Sequence, residues 1–231
     1  MANNPGYSGF KKSEFFNKPS KYRFPKFDNG DGYNRTLPNP FNSKYSSFYK
    51  KQHIYSAGIL PYQVGDNGKI YFLVGKDHEN NWSDFGGKCE FKDNNNIKET
   101  ATREFFEESL NSVMDVNTAR DLLRNEKNYT LIQSKTLSGS PYYMFMLRVP
   151  MLPDTCRDRF HKTLTYLKYI NADSSTMEKT DVRWVSLDTI LHCLDNPDDE
   201  DKMGWPLRKI FKRTLVNSRK ALDEFRNKTT S

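Results

Sequence analysis

Cysteine is scarce in this 231-residue chain: Cys89, Cys156 and Cys193 lie far apart and form no C-x-x-C pair. An odd number at that spacing excludes a disulfide framework or a thiolate zinc site and points to reduced thiols in a cytosolic setting. Histidine is nearly as rare, and His53, His78, His161 and His192 show no spacing suited to a shared metal. Long apolar runs are missing, since none approaches the roughly eighteen residues a membrane span requires. The N-terminus, MANNPGYSGFKKSEFF, lacks the apolar stretch of a secretory leader. These absences predict an intracellular, cytoplasmic protein without a membrane span, built as one large domain or one domain with an appendage.

What is present is unevenly placed. Residues 1–52 hold ten Lys and Arg against three acids, which already equals the net charge of +7; the remaining 179 residues balance at 26 of each sign. Twelve of the 32 aromatic residues also precede position 53. Residues 1–51 show no helical or strand period and are rich in Gly, Pro, Asn and Ser, so they read as an irregular arm. Cations interleaved with rings suit nucleic acid, where one neutralises phosphates and the other stacks on bases. A solubilising tail, or an arm packed on the domain surface, fits the same composition.

Regular patterning begins at HIYSAGILPYQV, a strand that Gly58 and Pro61 are expected to interrupt. The turn GDNG leads to KIYFLVGKD as a hairpin, and YTLIQSKTL and YYMFMLRV flank SGSP as another. NTARDLLRNE reads as a helix, and RDRFHKTLTYLKYI as a helical insert near 157–170. The strand DVRWVSL and the short helix DTILHCL follow. One long C-terminal helix is predicted over 206–226, apolar on one side and basic on the other through Arg208, Lys209, Lys212, Arg213, Arg219 and Lys220. That basic face is either solvated or in contact with RNA. Mixed strands with helices between and after them predict an α/β sandwich with a mixed sheet.

The densest chemistry lies in GGKCEFKDNNNIKETATREFFEES, residues 86–109. Nothing breaks a helix from Ile97 to about Ser109, and Glu104, Glu107 and Glu108 fall at i, i+3 and i+4 on one face. Three carboxylates at that spacing suit a hard divalent cation with oxygen ligands, and the GGK before them allows close backbone approach and offers Lys88 to a phosphate. A solvated helix face is the plain alternative for such a run.

The stretch resembles the Nudix box, G-x5-E-x7-R-E-U-x-E-E-x-G-U. Gly87 matches the opening glycine, REFFEE at 103–108 matches the centre, and DVRWVSLDTIL at 182–192 looks like the late strand and helix of that family. The resemblance covers roughly 53–215 and implies a Nudix-type α/β/α sandwich over 52–231. It departs from the pattern in three places. Two residues are inserted, most simply within Asp93–Asn96; Asn95 stands at the first glutamate, with Asp93 the nearest acid. Leu110 replaces the closing glycine, and Asn111 takes the final apolar place.

The resemblance implies hydrolysis of a nucleoside diphosphate linked to another group. Mg²⁺ or Mn²⁺ would be held by Glu104, Glu107, Glu108 and the Gly86 carbonyl, with Arg103 orienting a glutamate. The general base would be Glu107 or Glu178, the latter otherwise a plain loop residue. The insert, the basic regions and the WSDFGGK lead-in look like the mRNA-decapping Nudix enzymes of large cytoplasmic DNA viruses. This implies capped RNA as substrate and release of 7-methyl-GDP. Trp82 and Tyr142 are then candidates to stack on a base, or else core residues. Dinucleoside polyphosphates, diphosphoinositol polyphosphates or ADP-ribose are the small-molecule alternatives, and a non-catalytic RNA-binding module is the third.

Overall fold

The computed structural model describes residues 54–150 and 153–230; the N-terminal arm lies outside them. The strands are β1 (Ser56–Val64), β2 (Ile70–Asp77), β3 (Trp82–Ser83), β4 (Phe85–Lys88), β5 (Tyr129–Lys135), β6 (Pro141–Arg148) and β7 (Lys179–Ser186). The helices are α1 (Ile97–Glu108), α2 (Val116–Arg124), α3 (Pro153–Tyr169), α4 (Leu187–Asp195), α5 (Lys209–Asn217) and α6 (Arg219–Thr230).

One mixed sheet joins all seven strands in the order β3-β2-β1-β6-β5, with β4 also on β1 and β7 also on β2. β1 runs parallel to β6 and antiparallel to β2 and β4. The two-residue period of its strands divides the core. Leu60, Phe72, Val74, Met144 and Met146 face a cluster completed by Leu191, Phe211, Leu215, Leu222 and Phe225 of the last three helices. Ile59, Leu73, Phe85, Phe145 and Leu147 face the other way, onto Ala101, Phe105, Leu123, Phe160 and Leu164 of α1 to α3. The result is the expected α/β/α sandwich.

Two expectations need correction. β1 is not interrupted at Gly58 or Pro61. Its antiparallel partner is β4 over Ser56–Ile59 and β2 over Tyr62–Val64, so Pro61 falls between the two registers, where its missing N–H breaks no ladder bond. Gly58 faces Gly86, and a Cβ on it would come within 2.6 Å of the Phe85 carbonyl oxygen. The predicted C-terminal helix is two helices, broken at Ser218 (φ −109°, ψ 17°). The break lets Phe211 and Leu215 on one side, and Leu222 and Phe225 on the other, reach the same cluster.

Much of the basic face is also committed inside the domain. Lys212 pairs with Glu200, Arg213 donates to the Thr136 carbonyl, and Arg219 pairs with Asp195. Among the described residues no helix is long and apolar enough to cross a membrane, and none of the three cysteines is in a disulfide.

Candidate active site

The site forms where β4 meets α1. Asn96 starts the helix by accepting from the Lys98 amide at 3.0 Å, and Ala101 and Phe105 anchor one face in the core. That anchoring turns Glu104 and Glu108 toward β4. The Gly86 amide donates to Glu108 Oε2 at 2.7 Å. A Cβ at Gly87 would lie 2.5 Å from the carboxylate atoms of Glu104, so only glycine admits that side chain here.

Arg103 holds the row together from one side. Its Nη1 donates to Glu104 at 2.8 Å and Glu107 at 3.0 Å, and its Nη2 donates to the Lys88 carbonyl at 2.8 Å. Asp93 anchors its other edge and is itself buried, also accepting from the Glu90 amide and the Thr100 hydroxyl. Burial works to raise the Asp93 pKa, but these donors, Arg103 foremost, outweigh it and leave it lowered. Asp93 is thus a clamp for the arginine. The inserted loop reaches this geometry through Asn94 and Asn95, both left-handed at φ +52° and +57°, a conformation asparagine tolerates better than most residues.

Lys179, at the start of β7, closes the row from the opposite side. It is buried, donates to Ser83 Oγ at 2.8 Å and lies 3.5 Å from Glu108 Oε1. Asp84, also buried, accepts from the Tyr142 hydroxyl. Burial pushes Glu108 up to about 7 despite Lys179, with repulsion from Asp84 and Glu104 adding to it. Burial likewise raises Glu104 to about 7; Arg103 opposes the shift, while Glu107 and Glu178 reinforce it.

Glu178 stands exposed on the loop before β7. It shares a cavity of about 20 Å³ with Glu104, Glu107 and Glu108. Three larger cavities continue from there. One of about 590 Å³ lies between α1 and α3, and one of about 420 Å³ is bounded by Glu108, Glu178, Lys179 and Arg208. The third, of about 560 Å³, has Gly86, Gly87, Lys88, Arg208 and Lys209 among its walls. Ser175 and Glu178 belong to both the first and second, Glu79 and Arg208 to both the second and third. Together they form one groove along the acidic row.

Arg103, Glu104, Glu107, Glu108, Glu178 and Gly86 therefore come together, and Lys88 is exposed on the groove. Trp82 and Tyr142 do not join them as stacking residues. They are only 2% and 5% exposed, in the core cluster, with Trp82 packed on Trp205 at 4.9 Å. Too little ring surface remains to receive a base. The histidines are dispersed: His78 meets the Met177 carbonyl, His161 meets Asp181 and His192 meets Asp199. Lys179 and Asp84 escaped the sequence reading, because nothing in their neighbours announces a buried charge.

Among the described residues no three His, Cys, Asp or Glu side chains are arranged to hold a metal ion. Arg103, Lys179 and the Gly86 amide each contact glutamate oxygens here. Gly86 contributes its N–H to the cluster. The chemistry of the donors nevertheless fits Mg²⁺ or Mn²⁺, which prefer carboxylate oxygen. Burial and mutual repulsion raise Glu104 and Glu108, and a divalent cation bound to them would offset both effects.

No protein-family model and no curated protein matches the chain. Solved structures similar to it include the Nudix hydrolase RenU of M. smegmatis, at 14% identity over 74% of this chain and 88% of that one, TM-score 0.40. The Ap4A hydrolase of C. elegans is 15% identical over 74% and 99%, TM-score 0.39. The MutT protein of Methanosarcina mazei Go1 is 17% identical over 76% and 96%, TM-score 0.40. Likeness at that level carries no argument about chemistry.

Proposed function

We propose that the chain is a metal-dependent Nudix hydrolase of a nucleotide-linked diphosphate, and that its substrate is the 5′ cap of RNA. The observation that carries the reading is the row of four glutamates, Glu104, Glu107, Glu108 and Glu178, braced by Arg103 and Lys179 along an open groove. A purely structural ion-pair network has no need to gather carboxylates whose charges repel.

A bound divalent cation supplies charge neutralisation at the phosphoryl oxygens and a more acidic water. The protein does the rest. Arg103 fixes Glu104 and Glu107, and Lys179 with the Gly86 amide fixes Glu108. Glu107 or Glu178 accepts the proton of the attacking water as its oxygen bonds to phosphorus. The anhydride bond then breaks, and its electrons leave with the departing phosphate. Lys88 and Arg208, both on the wall of the groove, would receive that phosphate.

RNA in particular is supported by α3. Arg159, Lys162, Tyr166 and Tyr169 fall at i, i+3, i+7 and i+10 on its outer face, with both tyrosines exposed, at 61% and 83%. Cations beside exposed rings are a surface for a single strand. The test is incubation with Mg²⁺ or Mn²⁺ and cap-labelled RNA, beside dinucleoside polyphosphates, diphosphoinositol polyphosphates and ADP-ribose. Labelled 7-methyl-GDP from RNA is expected. Faster turnover of a small molecule would transfer the function to that class, and no turnover at all would leave a binding module.

A further inference from the structure

The acidic row accounts for the middle of the groove and leaves its largest cavity, between α1 and α3, without a purpose. That cavity is built by three elements. Phe106 and Leu110 come from the end of α1, Thr163 and Leu167 from α3, and Ser175 and Thr176 from the loop before β7. Phe106 is unusual in its place. Its neighbour Phe105 is buried edge-on against Phe85 at 5.5 Å, whereas Phe106 is 38% exposed between two of the glutamates. Leu110 and Asn111 are equally unexpected. Both are left-handed, at φ +52° and +54°, and both line the cavity. The pair caps the end of α1, the Asn111 amide donating to the Phe106 carbonyl at 3.1 Å, and this chain reversal sets Leu110 and Asn111 on the cavity wall.

The polarity of the cavity narrows its ligand. Its rim carries Glu90, Glu107, Glu178 and Asn111; Glu90 and Glu107 share the exposed Lys92, which leaves carboxylate oxygens over, and the lining cation, Arg103, is turned onto Asp93, Glu104, Glu107 and the Lys88 carbonyl. An apolar floor with an aromatic ring takes a planar heterocycle, and a rim of carboxylates takes N–H donors. Guanine presents two parallel donors, N1–H and N2–H, on one edge. Adenine presents its N6–H beside an acceptor nitrogen that would face the carboxylate. The opposite end of the groove, with Lys88, Arg208 and Lys209, is basic and suits phosphate.

We propose that the cavity between α1 and α3 binds a guanine-type ring of the substrate against Phe106, and that the phosphates run from it along the glutamates toward Arg208 and Lys88. The inference rests on the diphosphate-hydrolase reading for the phosphate path, whereas binding of the ring can be measured without hydrolysis. The probes are GMP, 7-methyl-GMP and AMP, which contain no anhydride bond, titrated calorimetrically into the full-length protein with Mg²⁺. The guanine nucleotides are expected to bind at least about tenfold tighter than AMP, since adenine turns an acceptor nitrogen toward the rim carboxylates and forfeits a charge-assisted hydrogen bond. Phe106→Ala and Thr163→Trp, one removing the stacking ring and one filling the space, should each erase that preference. Binding of inorganic pyrophosphate should persist in both. Equal affinity for GMP and AMP overturns the proposal, as does a preference that survives both substitutions. So does a preference lost on Ile210→Trp instead, which would place the ring at the basic end. Failure of these titrations with cap hydrolysis intact refutes the pocket alone; guanine preference without hydrolysis of any diphosphate refutes the enzyme reading alone.

Discussion

Arg103 grips Asp93 with two parallel bonds, Nε to Oδ1 at 2.9 Å and Nη2 to Oδ2 at 3.0 Å, while its remaining nitrogen reaches Glu104 and Glu107. The aspartate that follows the glycine turn is therefore the fixed point from which these glutamates are aligned. Bidentate pairing of this kind gives direction as well as energy.

Replacing Asp93 by Asn should show both contributions. The amide keeps one acceptor but sets its NH₂ against an arginine donor, leaving a largely buried guanidinium underpaired. We expect a loss of about 2–4 kcal/mol in urea denaturation, together with weaker Mg²⁺ binding through the misaligned Glu104. A variant with unchanged stability and metal affinity would show that Arg103 is positioned by the glutamates themselves.

Glutamine substitutions should separate Glu107, Glu178 and Glu108. Glu107 and Glu178 are exposed, so their glutamine variants should fold as the parent does. The one that serves as base should lose about 10² to 10⁴ in kcat. Glu108→Gln should lose activity and also roughly 1–3 kcal/mol of stability, because the buried Lys179 loses its counter-charge. Thermal melts beside single-turnover rates decide this. Near-parental turnover in both Glu107→Gln and Glu108→Gln would remove the assignment.

Acidity provides a third handle. Without metal, Glu104 and Glu108 titrate at about 7 in the folded protein, against about 4.3 in an unfolded chain. The native state binds these protons more tightly, so their contribution to stability is full below about pH 4.3 and is lost as pH rises toward 7. Asp93 and Asp181 are held low and act in the opposite sense. Their contribution is present above the ordinary aspartate value and disappears as pH falls through the lowered ones. Tm of metal-free protein should fall between about pH 5 and 7.5 and then level, Mg²⁺ should recover it at the alkaline end, and Glu104→Gln should flatten the slope. An equal slope in that variant would assign the protons elsewhere.

The N-terminal arm makes its own prediction. If its lysines meet phosphate, changing Lys11, Lys12, Lys18 and Lys21 to Glu should weaken RNA binding. The slope of log K against log salt should shrink by about 0.7 for each phosphate no longer neutralised. Metal affinity should stay constant. An unchanged slope assigns the arm another role.

Local patterning made α1 and both hairpins readable, because i, i+3, i+4 spacing and glycine turns are decided by nearby residues. The same holds for the row Glu104, Glu107, Glu108 and for Arg103. Hidden from the sequence were features decided by distant partners. The continuity of β1 through Pro61 depends on which strand lies beside it, and the break at Ser218 on where the two halves of the helix find apolar neighbours. Trp82 and Tyr142 look the same in sequence whether they stack on a ligand or fill a core. Lys179 is surrounded by polar residues, and only the sheet, by laying β7 on β2, carries it to Glu108.

The parallel pairing of β1 with β6 has a consequence for how the protein is made. Ser56 pairs with Tyr142 and Tyr62 with Arg148, so the centre of the sheet stays open until most of the chain has left the ribosome. Non-local closure of this kind slows folding. Lys179 arrives later still, 96 positions beyond the Ser83 it binds. During synthesis the glutamates of α1 thus exist for a time without their buried cation. Until β7 joins β2, the repulsion within that row is offset by solvent and Arg103, without Lys179.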